Sequence, residues 1–268
     1  MDIVISYGHS LLASLALMTL VFAVARTKNR YDMIDIAWGV SFIVIVTTVF
    51  AANDRMFNEF LPTLILLLVL AWGFRLALHI YQRWSRTTHE DHRYVDMRKK
   101  YAKMLGGVIV NMYLKVFVVQ AVLAVVICTP AIIALSQGVA DVSLLVWIGL
   151  VMWCVGFYFE AVGDYQLKQF IAKPDNKGKL MESGVWRYTR HPNYFGEITQ
   201  WWGVYVIAYV AAPGLWWLSL IGPLTITILL VFISGVPLTE RHFEGRKGWA
   251  AYKRRTSMLF PLPPKHGD

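Results

Sequence analysis

Asn193, Glu197 and Trp201 fall at i, i+4 and i+8 of a stretch that opens on Pro192. Proline suits the first turn of a helix, where its missing N–H has no intrahelical partner to lose. The three side chains therefore share one face. A carboxylate one turn inside an apolar segment is expensive unless a partner or a ligand meets it. Two other sets repeat the pattern: Trp72, Arg75 and His79 at i, i+3 and i+7, and Glu160 and Asp164 at i and i+4. Asp35 stands within a turn of the start of another apolar block. Buried ion pairs tying a bundle together would account for any one of these groups. Six of them on four helices at similar depth point instead to a shared polar cavity. Its carboxylates can accept hydrogen bonds from an amide or from ribose hydroxyls. Lys173, Lys177, Lys179, Arg187 and Arg190, in an adjoining basic loop, can hold phosphates. The matching ligand carries a phosphate-bearing end and a polar ring. Neither G-x-G-x-x-G nor G-x-x-x-x-G-K is present, and no H-E-x-x-H or Cys/His spacing suggests a metal. His191 suits a loop hydrogen-bonding role as well as that of a base.

The elements that must position these groups are apolar and long. Of 268 residues, 57% are hydrophobic and only 16% charged, against roughly a quarter charged in a soluble domain. The apolar residues form blocks close to the ~20 residues needed to cross a bilayer. The pattern predicts an all-α, multi-pass membrane protein forming one membrane-embedded domain over 1–268, with seven spans within 7–236 and a tail over 237–268. The spans are expected at about 7–25, 33–52, 60–82, 108–135, 142–170, 192–211 and 213–236, the fourth open to a break near Thr129 and Pro130. Short turns are expected at 53–58 and 137–138, and charged loops over 83–103 and 172–191. The first block lacks a small-residue cleavage site and reads as a retained span. Cys128 and Cys154 lie in apolar blocks and suggest neither a disulfide framework nor a metal cluster.

The net charge of +9 has a topological reading. Only Arg55 falls in the loops after the second, fourth and sixth spans, and Arg75 and Lys115 lie within spans. The other 23 of the 26 Lys and Arg lie in the remaining loops and the tail, with Lys168, in the last turn of the fifth span, counted with the loop it adjoins. Positive loops stay cytoplasmic, which puts the amino terminus outside and the carboxyl terminus inside, as in a bacterial inner membrane. Anionic headgroups then balance the charge, and no nucleic acid is called for.

The motifs Glu160-x-x-x-Asp164-Tyr165-Gln166-Leu167, 184–197 (Gly184-Val185-Trp186-Arg187-Tyr188-Thr189-Arg190-His191-Pro192-Asn193-Tyr194-Phe195-Gly196-Glu197) and Tyr252-Lys253-Arg254-Arg255-Thr256 leading to Pro261 resemble the bacterial branch of the steroid 5-alpha-reductase family. Weaker similarity reaches back through 72–76 and 91–94, so the resemblance covers most of 30–262. It implies a seven-helix bundle that holds NADPH from the cytosolic side and reduces a carbon–carbon double bond conjugated to a ketone. It further implies cofactor contacts from Asn193, Glu197, Asp164, Arg75, Lys179 (where relatives carry Arg) and Glu160. The cofactor set is completed by His79, Arg86, Lys173, Tyr188, Arg190, His191, Trp201 and Arg241.

There are departures. Steroid-reducing relatives hold the substrate ketone with a Glu on the second helix and a Tyr on the third; here the corresponding candidates are Asp35 and Trp72. The expected chemistry is hydride delivery to the beta carbon of a steroid-like enone. A protonated Asp35 would bond the enolate oxygen, and Trp72 would close the pocket. The flat, lipophilic substrate would enter from the surrounding lipid. Arg190-His191-Pro192-x-Tyr194-x-Gly196 also looks like the membrane isoprenylcysteine and phospholipid methyltransferases, which bind S-adenosylmethionine. Asn193 with Glu197 and the Asp164-x-x-Leu167 segment favour the reductases. A non-catalytic lipid-binding protein would leave the buried carboxylates without a purpose.

Overall fold

The computed structural model describes residues 2–53, 59–137 and 141–265. The turns expected at 53–58 and 137–138, past their first residues, lie outside this set, and Arg55 with them. Among the described residues the regular structure is helical, apart from an isolated bridge between Thr189 and Ser257. The helices are α1 (Ile3–Lys28), α2 (Met33–Ala51), α3 (Phe60–Trp84), α4 (His92–Tyr101), α5 (Gly107–Met112), α6 (Val119–Ile127) and α7 (Thr129–Gln137). They continue with α8 (Leu144–Ile171), α9 (Pro192–Ala211), α10 (Trp216–Ser219), α11 (Ile221–Ile228), α12 (Val236–Phe243) and α13 (Trp249–Arg255). Among the described residues, six stretches are long and apolar enough to cross a membrane: Ile3–Lys28, Met33–Ala51, Phe60–Trp84, Gly107–Ile127, Leu144–Ile171 and Pro213–Phe243. The protein is an integral, multi-pass membrane protein. The 20 residues of α9 are diluted by Asn193, Glu197, Thr199 and Gln200 and do not join the six.

The fourth span breaks where Thr129 and Pro130 left it open to do so, and two further boundaries differ from expectation. The fourth span is divided: Tyr113–Val118 is π-helical, α6 ends at Ile127, and α7 restarts at Thr129. Pro130 has no N–H to continue the ladder, which places the break there. The last span does not end at 236 but runs in pieces to Phe243, interrupted at Ser234 and Gly235. A Cβ on Gly235 would lie 2.4 Å from the Leu230 carbonyl oxygen, so the interruption needs glycine. The charged loop over 83–103 contains α4. Asp91 caps it by accepting from the Arg93 N–H, and Tyr94, Met97 and Tyr101, at i, i+3 and i+7, pack into the core.

The chain forms two compact units, one of Met1–Val142 with Ile207–Gly222 and one of Ser143–Val206 with Pro223–Asp268. In the first, α2 and α3 come close through Gly39 and Gly73; a Cβ on Gly39 would meet the Gly73 carbonyl at 2.8 Å. Trp72 stands edge-on to Phe42 beside them, with ring centroids 4.9 Å apart. Buried serines at i, i+4 and i+8 of α1 join it to the following helices. Ser6 accepts from Ser136 at 2.7 Å, and Ser14 donates to the Ala121 carbonyl at 3.2 Å. Such bonds hold helices together where lipid removes the hydrophobic driving force.

In the second unit, glycines spaced by seven line both partners: Gly149, Gly156 and Gly163 on α8, Gly196 and Gly203 on α9. A Cβ on Gly156 would lie 2.5 Å from the Gly196 carbonyl, and one on Gly203 would lie 2.6 Å from that of Gly149. Two helices this close carry their polar side chains into direct contact, which sets the geometry of Glu160 and Gln200.

Candidate functional site

In the first unit the polar groups gather where α1 passes into α2 and α3 into α4. Asp32 is the hub. Its carboxylate accepts two bonds from Arg30 at 2.9 Å each, one from the Trp84 indole at 3.0 Å and one from the Asp91 N–H at 3.2 Å. Burial pushes the Asp32 carboxyl up, but the Arg30, Trp84 and Asp91 donors outweigh it and hold the carboxyl below its ordinary value. Arg30 also stacks over Trp84, with 4.6 Å to the ring centroid. Glu90 accepts from the Tyr31 N–H and pairs with Arg98, at 2.7 Å each. These bonds fix residues 84–94 as a frame.

Asp35 hangs inside that frame. Its Oδ1 accepts from the Tyr94 hydroxyl at 2.5 Å and its Oδ2 from Arg93 Nη2 at 2.8 Å. Arg93 is itself held by Asp91, through Nε at 3.1 Å and Nη2 at 3.0 Å. Burial, together with the charge of Asp35, pushes the Tyr94 phenol well above its usual value, so it stays protonated. Asp35 thus accepts on both oxygens, from its neighbours Tyr94 and Arg93. A cavity of about 630 Å³ is lined by Asp32, Asp35, Arg83, Trp84, Arg86 and Glu90, among others. Arg86 and Asp35 line the same cavity. Trp72 is buried between α2 and α3, 2% exposed, and the cavity's aromatic wall is Trp84. Arg75 and His79 lie partly buried on α3.

The second unit collects most of the remaining expected residues. Asn193 donates to Asp164 at 3.4 Å, and Gln200 donates to Glu160 at 2.5 Å. Glu197 and Asn193 are partly buried on α9, and Trp201 is buried. Lys173, Lys179, Tyr188 and Arg241 are exposed.

Arg190 and His191 have another employment. Arg190 reaches Glu240 of α12 through Nε at 2.9 Å and Nη2 at 2.6 Å, while Nη1 donates to the carbonyls of Lys253 and Thr256 at 3.1 and 2.6 Å. Nε2 of His191 lies 3.4 Å from the same Glu240 oxygen, and its ring stacks on Tyr194. Around them, Tyr252 donates to the Trp186 carbonyl at 2.6 Å, Trp186 donates to that of Gly163 at 3.0 Å, and the Leu262 N–H bonds Tyr188. The 184–191 loop is stapled to α8 on one side and to residues 252–262 on the other. With their donors used inside the protein, Arg190 and His191 shape the loop.

Burial, and secondarily the Arg190 charge, lowers the His191 pKa against the opposing pull of Glu240. The folded protein therefore keeps His191 neutral where the unfolded chain, near 6.5, has begun to bind a proton. The sign follows: stability is fully present above that value and declines as pH falls through and below it, by at most about 1.4 kcal/mol per unit. Melting in detergent between pH 7.5 and 5.5 should show this decline, and His191→Gln should flatten it. An unchanged slope in the variant would assign the loss to another group.

With this geometry in view, residues 21–256 match the family described as DUF1295, a protein of unknown function. The chain belongs to the DUF1295 family. An uncharacterized protein of Schizosaccharomyces pombe is 25% identical to it over 248 residues, covering 81% of this chain and 67% of the relative. No solved structure matches. The DUF1295 match spans both Asp35 with Tyr94 and the whole stapled loop. Sequence reading missed Asp32, Tyr94, Gln200 and Glu240 as members of these clusters. Tyr94 had a signal, the stripe with Met97 and Tyr101 behind a capping aspartate. Glu240 was hidden by placing the end of the last span at 236.

Proposed function

We propose that this protein is a membrane reductase that uses NADPH to saturate the double bond of a lipophilic enone, a 3-oxo-Δ4 steroid or a lipid of similar shape. The single observation that carries the reading is the Asp35 cluster. A carboxyl at a cavity wall gathers a phenol and a guanidinium, the donors that a developing enolate oxygen requires. The resemblance of the 160–197 segment to the steroid 5-alpha-reductases supplies the cofactor assignment. The residues of the second unit fit that cofactor chemically. Asn193, Asp164 and Glu160 offer an amide and carboxylates for a carboxamide and ribose hydroxyls, and Lys173 and Lys179 offer exposed cations for phosphates. We further propose α9 as a seventh span and a cytoplasmic carboxyl terminus, on the distribution of basic residues.

NADPH, when bound, supplies the hydride for the beta carbon. The chain's own part is electrostatic. As charge develops on the ketone oxygen, Arg93 Nη1, not used in the bonds described above, is available to meet it, while the Tyr94 hydroxyl spends its one proton on Asp35 and holds that carboxylate in place. Asp35 keeps both in register, and Asp91 fixes the guanidinium plane. Solvent completes the reaction by protonating the alpha carbon.

Thermal stabilisation of the purified protein tests the cofactor. NADPH should raise the midpoint more than NADH, and Lys179→Glu should weaken NADPH far more than NADH. Equal losses would remove Lys179 from the 2′-phosphate. Stabilisation by S-adenosylmethionine with none by NADPH would replace the reductase by a methyltransferase.

A further inference from the structure

A second cavity in the first unit lies apart from the Asp35 cluster. It is open, about 610 Å³, and sits where α1 ends, α5 begins and α4 passes between them. Three cations line it: Arg26 from the last turn of α1, and Arg98 and Lys99 from α4. Asn29 adds an amide, Tyr31 is buried at its wall, and Val108 and Ile109 supply an apolar side. Two carboxylates stand near: Glu90, paired with Arg98 at 2.7 Å, and Asp96, 3.7 Å from the largely exposed Lys99. Among the described residues, no carboxylate lines the cavity itself.

The place of this cavity decides what it takes. Ile3–Lys28 and Gly107–Ile127 are both long enough to span, so the end of one and the start of the other mark a membrane surface. Beside the cavity the surface is unusually apolar for a water-facing protein. Leu105 is 100% exposed, and Ile109, Val110 and Leu114 are each about half exposed in succession along the start of that span. A cation cluster at headgroup depth, with apolar side chains continuing from it toward the bilayer interior, matches a molecule that has a phosphate and acyl chains.

We propose that the cavity between α1, α4 and α5 is a binding site for an anionic phospholipid. Arg26, Arg98 and Lys99 take the phosphate, and the acyl chains lie along Ile109, Val110 and Leu114. Arg98 is the oriented member, held over the Tyr31 ring, 5.9 Å from its centroid, by Glu90. Arg26 and Lys99 are exposed and add charge without holding the fold, which makes them the residues to change.

The test is native mass spectrometry of the full-length protein from detergent, titrated separately with phosphatidylglycerol, phosphatidylcholine and water-soluble glycerol 3-phosphate. The wild type should retain phosphatidylglycerol over phosphatidylcholine. Arg26→Gln with Lys99→Gln should weaken it about 30-fold, from two cations at the interface. Arg26→Lys with Lys99→Arg should keep it. Equal retention of the two lipids, or no change in the glutamine variant, would overturn the site. Glycerol 3-phosphate binding as tightly as the lipid would overturn the lipid as its occupant.

Discussion

Replacing Arg190 by alanine is expected to lower the unfolding free energy by about 3 kcal/mol or more, among the largest losses available to a single substitution in this chain. Arg190 and Glu240 are both largely buried, with side chains 6% and 12% exposed. Removing the guanidinium leaves Glu240 to His191 and a half-exposed Lys253, and also orphans the carbonyls of Lys253 and Thr256. An uncompensated buried charge is costlier than the pair was valuable. Arg190→Lys should recover only part of the loss, because an ammonium cannot bridge a carboxylate and two carbonyls in one plane. Arg190→Met with Glu240→Leu should recover most of it. Denaturant unfolding in mixed micelles reads all three. A loss below about 0.5 kcal/mol for the alanine variant would show that the staple contributes little.

The largest functional effect is expected at the Asp35 cluster. Asp35→Asn keeps the volume but places an amide where two donors now converge, so Arg93 and Tyr94 lose their common acceptor. Turnover of a 3-keto-4-ene steroid should fall roughly 10²–10³-fold, as on losing one oxyanion donor. Tyr94→Phe removes a single hydroxyl and should fall within the same range. Both variants should bind NADPH as the wild type does, whereas Glu197→Gln should weaken it. Binding and steady-state reduction measured on the same preparations separate the two roles. Full turnover in Asp35→Asn would detach the carboxyl from the ketone, and full turnover in Tyr94→Phe would leave Arg93 as the donor.

The spans were legible because composition averages well over twenty residues. Those expected at 33–52 and 60–82 agree to within two residues with Met33–Ala51 and Phe60–Trp84. The same averaging hides short elements. His92–Tyr101 carries four basic residues, and its three-residue apolar stripe vanishes in a span-length window, although the i, i+3, i+7 spacing is plain once a shorter one is used. Within the site, pairs along one helix were legible and pairs between helices were not. Spacing puts Glu160 and Asp164 on one face, but nothing in it joins Asp35 to Tyr94 across 59 positions or Glu160 to Gln200 across 40. The glycines at intervals of seven were the missing clue for the second pair, since they state which faces of α8 and α9 meet.

The staple on the 184–191 loop has a consequence for the order in which the chain is made. The carbonyls that Arg190 and Thr189 require belong to residues synthesised 63 to 69 positions later. At roughly 5–20 residues per second, a ribosome reaches them about 3–14 s after it has finished the loop. During that interval α8 can already form, while Arg190 first has none of its partners and then, 50 positions on, Glu240 without the two carbonyls. The loop therefore closes by capture when residues 252–262 arrive. Assembly of this part of the protein waits on the synthesis of residues 252–262.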